Sequence, residues 1–170
     1  IIRFMAERHT ALSTGKFITY HDVPWGEVYF RQFQGRCLMR FAFSYGNKLE
    51  QFQKVMEHLG AEKSTEGDCS YTLEFMDNLF VKFILWEGDD EFPPSSQILF
   101  SDNFPVSFQA EDMAVMGDVI IGSLKSFGNS VSNDKKEALE NLENIKSEEE
   151  IIRTLNIARA RSEEESKYLQ

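Results

Sequence analysis

Three apolar runs with a repeat of two residues dominate the middle of the chain. In the first run, CSYTLEFM at 69–76, aromatic and aliphatic residues alternate with other residues. This alternation is typical of a strand that buries one face. The pair Asp77-Asn78 predicts a tight turn into a second run at 79–86, and a third run follows at 96–101. The three runs therefore predict an antiparallel sheet of at least three strands.

The segments around these runs carry the helical repeat of three and four residues. Two helices are predicted before the sheet, over 27–46 and 47–59, and one after it, over 110–127. Asn47 is expected to cap the second helix, with Glu50 completing a capping box, whereas SDNFPVSF at 101–108 is expected to be a loop. We therefore predict an α+β fold in which helices cover one face of the antiparallel sheet.

The composition changes after Gly128. Residues 129–170 contain no aromatic residue before Tyr168 and are rich in Glu. Two helices are predicted there, at about 134–146 and 148–162, with narrow apolar stripes. The sequence thus predicts an α+β domain over 1–128 and an acidic helical extension over 129–170. The stripes leave three packing partners open: each other, the domain, or a second chain in an oligomer.

The chain opens on Ile1-Ile2, without an initiator Met, inside a segment with helical periodicity. We therefore expect the N-terminal part of the natural domain to be missing. There is no apolar run of about 18 residues and no secretory signal, which predicts a cytoplasmic protein without a membrane anchor. The formal net charge of −10 disfavours nucleic acid as a partner, because phosphates would be repelled.

The two cysteines, Cys37 and Cys69, form no Cys-x-x-Cys pair, so the spacing indicates neither a zinc site nor an iron–sulfur cluster. Cys37 lies on an apolar helical stripe and is expected to be a core thiol, whereas Cys69 is expected to be exposed. The short motifs of serine hydrolases, P-loop nucleotide hydrolases and dinucleotide-binding enzymes are also missing. This pattern leaves enzymatic activity uncertain and favours a protein without it.

An acidic bend, residues 87–91, connects the second and third runs. Its carboxylates belong to Glu87, Asp89, Asp90 and Glu91. Glu87, Asp89 and Glu91 are candidate ligands for a divalent cation, which takes oxygen ligands, although the EF-hand spacing is missing. Two alternatives remain: a binding loop, and a solvated turn that Pro93-Pro94 stiffens.

Aromatic residues flank the acidic bend. Trp86 precedes it and Phe92 follows it. Such residues either close the end of a core or contact a planar ligand or a partner. Trp25 is expected to lie beside this loop. The neighbouring pair His21-Asp22 suggests a general base, but adjacent residues of an extended segment point to opposite sides and would not form a relay.

The segment from 84 to 120 resembles an uncharacterised prokaryotic family, domain of unknown function 3786, and the segment 14–36 resembles it as well. The resemblance covers roughly 1–127, in order and spacing, and leaves out 129–170. The matching positions are Gly15, Tyr20, Pro24, Gly26, Phe33, Arg36, Trp86, Gly88, Asp89, Glu91, Phe92, Pro93, Leu99, Phe100, Glu111, Asp112, Ala114 and Gly117.

The resemblance implies in which organisms such a domain occurs, but it implies no particular reaction. The family is found mainly in anaerobic bacteria and archaea, and some members carry a cysteine-rich iron–sulfur segment ahead of this domain. That segment is absent from this sequence, so no cluster is assigned to these residues.

Two functional hypotheses follow. The first is a cytosolic, non-catalytic binding or accessory module of anaerobic redox or cofactor metabolism. It would contact a protein partner or a small ligand through the 86–94 loop and Trp25. The second is an enzyme that depends on a divalent metal held by the carboxylates of 87–91. No cofactor other than such a cation is indicated.

Overall fold

A computed structural model describes residues 11–130 together with Lys136 and Arg153. The chain divides into two compact units, residues 1–128 and 129–170. The predicted helix at the N-terminus lies outside the described residues. So does the predicted acidic extension, apart from positions 129, 130, 136 and 153. The fold described below is that of the first unit.

A five-stranded antiparallel sheet forms the centre of this unit, in the order β1-β5-β4-β3-β2. The three long strands coincide with the three alternating runs, and Asn78 adopts the positive φ of 60° that a tight turn requires. The predicted antiparallel sheet is therefore confirmed. The strands are β1 (Phe17–Ile18), β2 (Glu62–Lys63), β3 (Cys69–Met76), β4 (Leu79–Trp86) and β5 (Ser95–Ser101).

Helices before and after the long strands complete the α+β fold. The first predicted helix is a continuous run with a π-helical segment in its middle. A 3₁₀ turn, Tyr20–Asp22, precedes it. The helices are α1 (Gly26–Phe33), the π-helical segment Gln34–Met39, α2 (Arg40–Tyr45), α3 (Leu49–His58), α4 (Phe104–Ser107) and α5 (110–130).

Two local predictions were wrong. The expected loop at 101–108 contains α4, because Pro105 lies in the first turn of a helix, where its missing N–H costs nothing. The expected capping box at Asn47 is absent, since α3 begins after Lys48 without a side-chain cap. The side-chain oxygen of Asn47 instead lies beside Gly88.

The core lies between one face of the sheet and the helices. Phe41 of α2 meets Phe83 of β4 edge to face, with ring centroids 5.4 Å apart. Phe52 of α3 meets Tyr71 of β3 in the same way at 5.9 Å. Such aromatic pairs add about 0.5–1.5 kcal/mol each to the burial of their surface. The alternating apolar residues of the strands therefore lie on the face that the helices cover.

Both cysteines lie in this core. Cys37 is fully buried, as expected, and a Cβ on Gly117 would lie 2.7 Å from its sulfur, so the glycine lets α5 approach this helix closely. The expectation that Cys69 is exposed was wrong. Cys69 is 7% exposed because it pairs with the buried Leu85 on the covered face of the sheet.

Candidate functional site

The turn before α1 presents an indole to solvent. Trp25 has a φ of 66°, in the left-handed region that residues other than glycine adopt rarely, and it is 76% exposed. Residues in this region cost of order 1–3 kcal/mol and persist where the surroundings fix them. The turn Pro24-Trp25-Gly26 therefore directs the Trp25 indole into solvent.

Hydrogen bonds and a close backbone approach surround this turn. The backbone N–H and the hydroxyl of Thr19 both donate to the carboxylate of Asp22, at 2.8 and 2.7 Å, and these bonds lower the pKa of Asp22. Gly26 approaches Tyr20 so closely that a Cβ would lie 2.0 Å from the carbonyl oxygen of Tyr20. Local hydrogen bonds and a required glycine thus fix the turn that carries Trp25.

Trp25 stands at the mouth of a cavity of about 580 Å³ between the start of α1 and the start of α5. Val28 is 67% exposed at the same mouth, whereas Val23 and Phe108 are buried. Ligand sites are commonly concave, largely apolar and of this size. The lining residues are Val23, Pro24, Trp25, Val28, Tyr29, Pro105, Phe108, Gln109, Ala110 and Glu111.

Tyr20 joins the two walls of the cavity. Its hydroxyl donates a hydrogen bond of 2.6 Å to the carbonyl oxygen of Ala110, at the start of α5. Its ring stacks on Phe33 with centroids 4.0 Å apart. Burial raises the pKa of Tyr20, so the hydroxyl stays protonated and remains a donor. The cavity is therefore preformed and does not depend on a ligand to bring its walls together.

The acidic bend is built around Asp89. Its carboxylate accepts hydrogen bonds from the backbone N–H groups of Glu91 at 2.9 Å and Phe92 at 2.6 Å. The N–H of Asp89 donates in turn to the carbonyl oxygen of Phe92. The backbone of Glu87 is held by Asp68, whose carboxylate accepts its N–H at 2.8 Å. The bend is thus an ordered turn in which one of the four acids has a structural task.

The candidate metal ligands Glu87, Asp89 and Glu91 lie in this exposed turn. Within the part of the chain that the structure describes, no three His, Cys, Asp or Glu side chains come together as a metal site. The hydrogen bonds that Asp89 accepts are those that hold the turn. The three carboxylates therefore share one loop but do not converge on a point where a cation could lie.

The flanking aromatic residues are exposed. Phe92 is 68% exposed, so the interpretation that it closes the end of the core was wrong, whereas Trp86 is 37% exposed and partly covered. Pro94 explains this course of the chain, because it packs so closely on Gly46 and Gly88 that a Cβ on either would overlap it. The loop is held at its proline, and Phe92 stays in solvent.

The two tryptophans line different cavities. Trp86 lines a second cavity, of about 210 Å³, together with His21 and Phe30. Trp25 lines the larger of these two cavities, and its expected position beside the 86–94 loop stays a prediction. The His21 ring packs on Phe30, with centroids 3.7 Å apart, and Asp22 is bonded to Thr19. The pair His21-Asp22 therefore forms no relay, in line with its adjacent positions.

Trp25 was a candidate contact from the sequence, whereas the cavity that it lines was not predicted. Val28 and Phe108 are 80 residues apart in the chain, and no local pattern connects them. The usable signal was the triplet Pro24-Trp25-Gly26, because a bulky aromatic residue between two turn-forming residues has little chance of entering a core.

Among the described residues, no helix is long and apolar enough to span a membrane. No curated protein and no solved structure matches the chain. One family model does match, over residues 1–123, and it is described as a domain of unknown function, DUF3786. The match covers more than half of the chain and includes both candidate surfaces, the cavity beside Trp25 and the acidic bend. The chain therefore belongs to the DUF3786 family.

Proposed function

We propose that this domain is a non-catalytic binding module that holds a partner protein or a small ligand in the cavity beside Trp25. The observation that carries the proposal is the conformation of Trp25, an indole exposed in a strained backbone at the mouth of a preformed apolar cavity. The strained backbone of Trp25 costs stability, and the exposed indole contributes none by burial. A bound partner that covers the indole would gain the free energy of burying it.

The narrower proposal is that the module works in the cytosol, in anaerobic redox or cofactor metabolism, on a redox or cofactor-bearing partner. It is supported by the resemblance to a family that occurs mainly in anaerobic prokaryotes. The apolar lining of the cavity and the few polar groups at its edge, such as Gln109 and Glu111, suit a planar or aliphatic group.

The test uses Trp25 as its own reporter. In a Trp86→Phe background the fluorescence comes from Trp25 alone, so a ligand or partner that enters the cavity shifts the emission to shorter wavelength. Candidate partners are captured on wild-type protein from a native lysate, identified, purified and titrated. Trp25→Ala should weaken their binding at least about tenfold, as expected for a central aromatic contact.

The matched control is Phe43→Ala, which removes an aromatic side chain of comparable exposure, 66%, from α2. It should leave the affinity unchanged. Equal affinities of wild type and Trp25→Ala for every purified partner would overturn the assignment of this cavity.

The alternative is an enzyme that depends on a divalent metal bound by Glu87, Asp89 and Glu91. Only the presence of these carboxylates in one exposed turn favours it. Calorimetric titration with Mg²⁺, Mn²⁺ and Ca²⁺ separates the two proposals. Binding that Glu87→Gln and Glu91→Gln abolish would support the enzyme, and no heat up to millimolar metal would discard it.

A further inference from the structure

We propose that the outer edge of β5, at residues 95–99, binds an extended basic segment of a partner protein by adding it to the sheet as a further strand. The inference rests on the proposed function, in that it takes the domain as a binding module. It concerns a different surface, however, and names the chemistry of the partner segment.

The edge is open because β1 is short. β1 pairs only Phe17 with Ser101 and Ile18 with Phe100. On its other side β5 pairs with β4 along its whole length, from Trp86–Ser95 to Val81–Phe100. Among the described residues, no strand pairs with the outer side of 95–99. A strand in this position presents unpaired N–H and C=O groups that another extended chain can bond.

A cavity lies along this open edge. After β1 the chain turns away through Thr19 and His21, and the gap that it leaves against Gln97 and Ile98 is the cavity of about 210 Å³. Ile98 pairs with Phe83 and faces the helices, whereas Gln97 faces the opposite side of the sheet. A cavity lined by both residues therefore crosses the strand edge, where side chains of an added strand would alternate between the two faces.

Apolar and aromatic side chains line much of this cavity, beside the polar side chains of Thr19, His21 and Gln97. Phe30 and Leu38 come from the run of helix that covers the sheet, and Trp86 comes from the end of β4. The hydroxyl of Ser96 is already bonded to the carbonyl oxygen of Leu38, at 2.7 Å. An incoming chain would therefore meet main-chain groups of β5 and apolar side chains, the combination that strand addition uses, together with the polar side chains of His21 and Gln97.

The acidic bend favours a partner segment of positive charge. Trp86 pairs with Ser95, so the acidic bend leaves β4 at the end of the sheet where β5 begins. The side chains of Glu87, Asp90 and Glu91 are exposed there, and they accept no hydrogen bond from the described residues. Complementary charge steers association and rejects partners of like charge. A segment with Lys or Arg at alternate positions fits this edge.

The probe is a synthetic peptide, Lys-Val-Lys-Val-Lys-Val, titrated into the full ¹⁵N-labelled chain. We expect amide shifts at 95–99 and slower amide exchange there, and neither with a Glu-Val peptide of the same length. A peptide N-methylated at alternate residues keeps its charge but loses main-chain donors. It should bind at least about tenfold more weakly, since several hydrogen bonds are lost. Equal binding of the methylated peptide would overturn strand addition.

Two double variants test the charge. Glu87→Gln with Glu91→Gln should weaken binding several-fold at low salt, and less at high salt. The matched control is Glu62→Gln with Asp77→Asn, which removes the same charge from β2, at the opposite edge of the sheet, and from the turn between β3 and β4, at its opposite end. Shifts located outside 95–99, or equal losses in the two variants, would contradict the proposal. Trp25→Ala should leave peptide binding unchanged, so the two proposals fail or stand separately.

Discussion

The hydroxyl of Tyr20 donates a hydrogen bond of 2.6 Å to the carbonyl oxygen of Ala110, across 90 residues of chain. This bond fixes the 3₁₀ turn before α1 against the start of α5. The 580 Å³ cavity lies between these two elements, with Trp25 at its mouth. Its shape is therefore a property of the free protein.

Replacing Tyr20 by Phe removes this bond without changing the packing of the ring. We expect the free energy of unfolding to fall by about 1 kcal/mol, the usual net contribution of a buried hydrogen bond. Urea denaturation measures the change. Tyr45→Phe is the matched control, because the buried hydroxyl of Tyr45 has no hydrogen-bond partner among the described residues. Its removal should be neutral or stabilising, and equal losses in the two variants would contradict the assigned role of Tyr20.

Gly26→Ala should destabilise the domain by about 2 kcal/mol, in the range of overpacked sites, because the new methyl group meets the carbonyl oxygen of Tyr20. The same variant should move the Trp25 emission, since the turn must shift. Gly35→Ala serves as the comparison, as a methyl group there meets no atom within 4 Å. Gly35 lies inside a helix, where Ala gains about 0.5–1 kcal/mol over Gly. A smaller loss of stability in Gly26→Ala than in Gly35→Ala would contradict the close approach of Gly26 to Tyr20.

We expect the domain to lose stability in acid, because the carboxylate of Asp102 accepts hydrogen bonds in the folded protein. The hydroxyl and the N–H of Thr14 donate to it, as does the hydroxyl of Ser13, and these bonds lower its pKa in the folded protein. A lowered folded pKa contributes stability that is present above the unfolded pKa and is lost as the pH falls through the folded one. Asp102→Asn should therefore be less stable than wild type at neutral pH, and the difference should shrink towards pH 3.

Denaturation midpoints between pH 7 and pH 3 measure this effect. Asp90→Asn is the matched control, because the side chain of Asp90 accepts no hydrogen bond from the described residues. It should follow the wild-type curve. A gap between wild type and Asp102→Asn that stays constant with pH would exclude the proposed linkage.

Neither cysteine should react in the native protein. Both are free thiols and both are buried. Burial raises the pKa of Cys37 to about 12 and also raises that of Cys69, so little thiolate forms near pH 8. A chromogenic disulfide reagent should label no thiol in the native state and two after unfolding in guanidinium. One fast native thiol would show that its site opens locally.

The long strands and most helices were predictable because their information is local. The alternation at 69–76 and the Asp77-Asn78 turn are set by neighbours in the chain. The acidic bend was also predicted as an exposed turn between strands, and the structure adds that Asp89 bonds the backbone of the residues after it. Its use for a metal or a partner remains a prediction.

Other features left no local signal. β1 and β2 have two residues each, too few for a period to be read. The π-helical segment at 34–39 continues the same apolar stripe as the helices on either side, so periodicity does not distinguish it. The exposure of Cys69 was misjudged because a residue at the start of a strand is buried or exposed according to its tertiary neighbours, here the buried Leu85 beside it on β4.

The sequence alone determined an α+β domain with an antiparallel sheet and an acidic turn after β4. Only the tertiary structure decided that Trp25 and Trp86 line different cavities, and that no strand among the described residues pairs with the outer side of 95–99. The physical reason is the range of the interactions. Periodicity, turn chemistry and charge act between neighbours, whereas a cavity or a strand edge depends on which distant segments meet, as Tyr20 and Ala110 do.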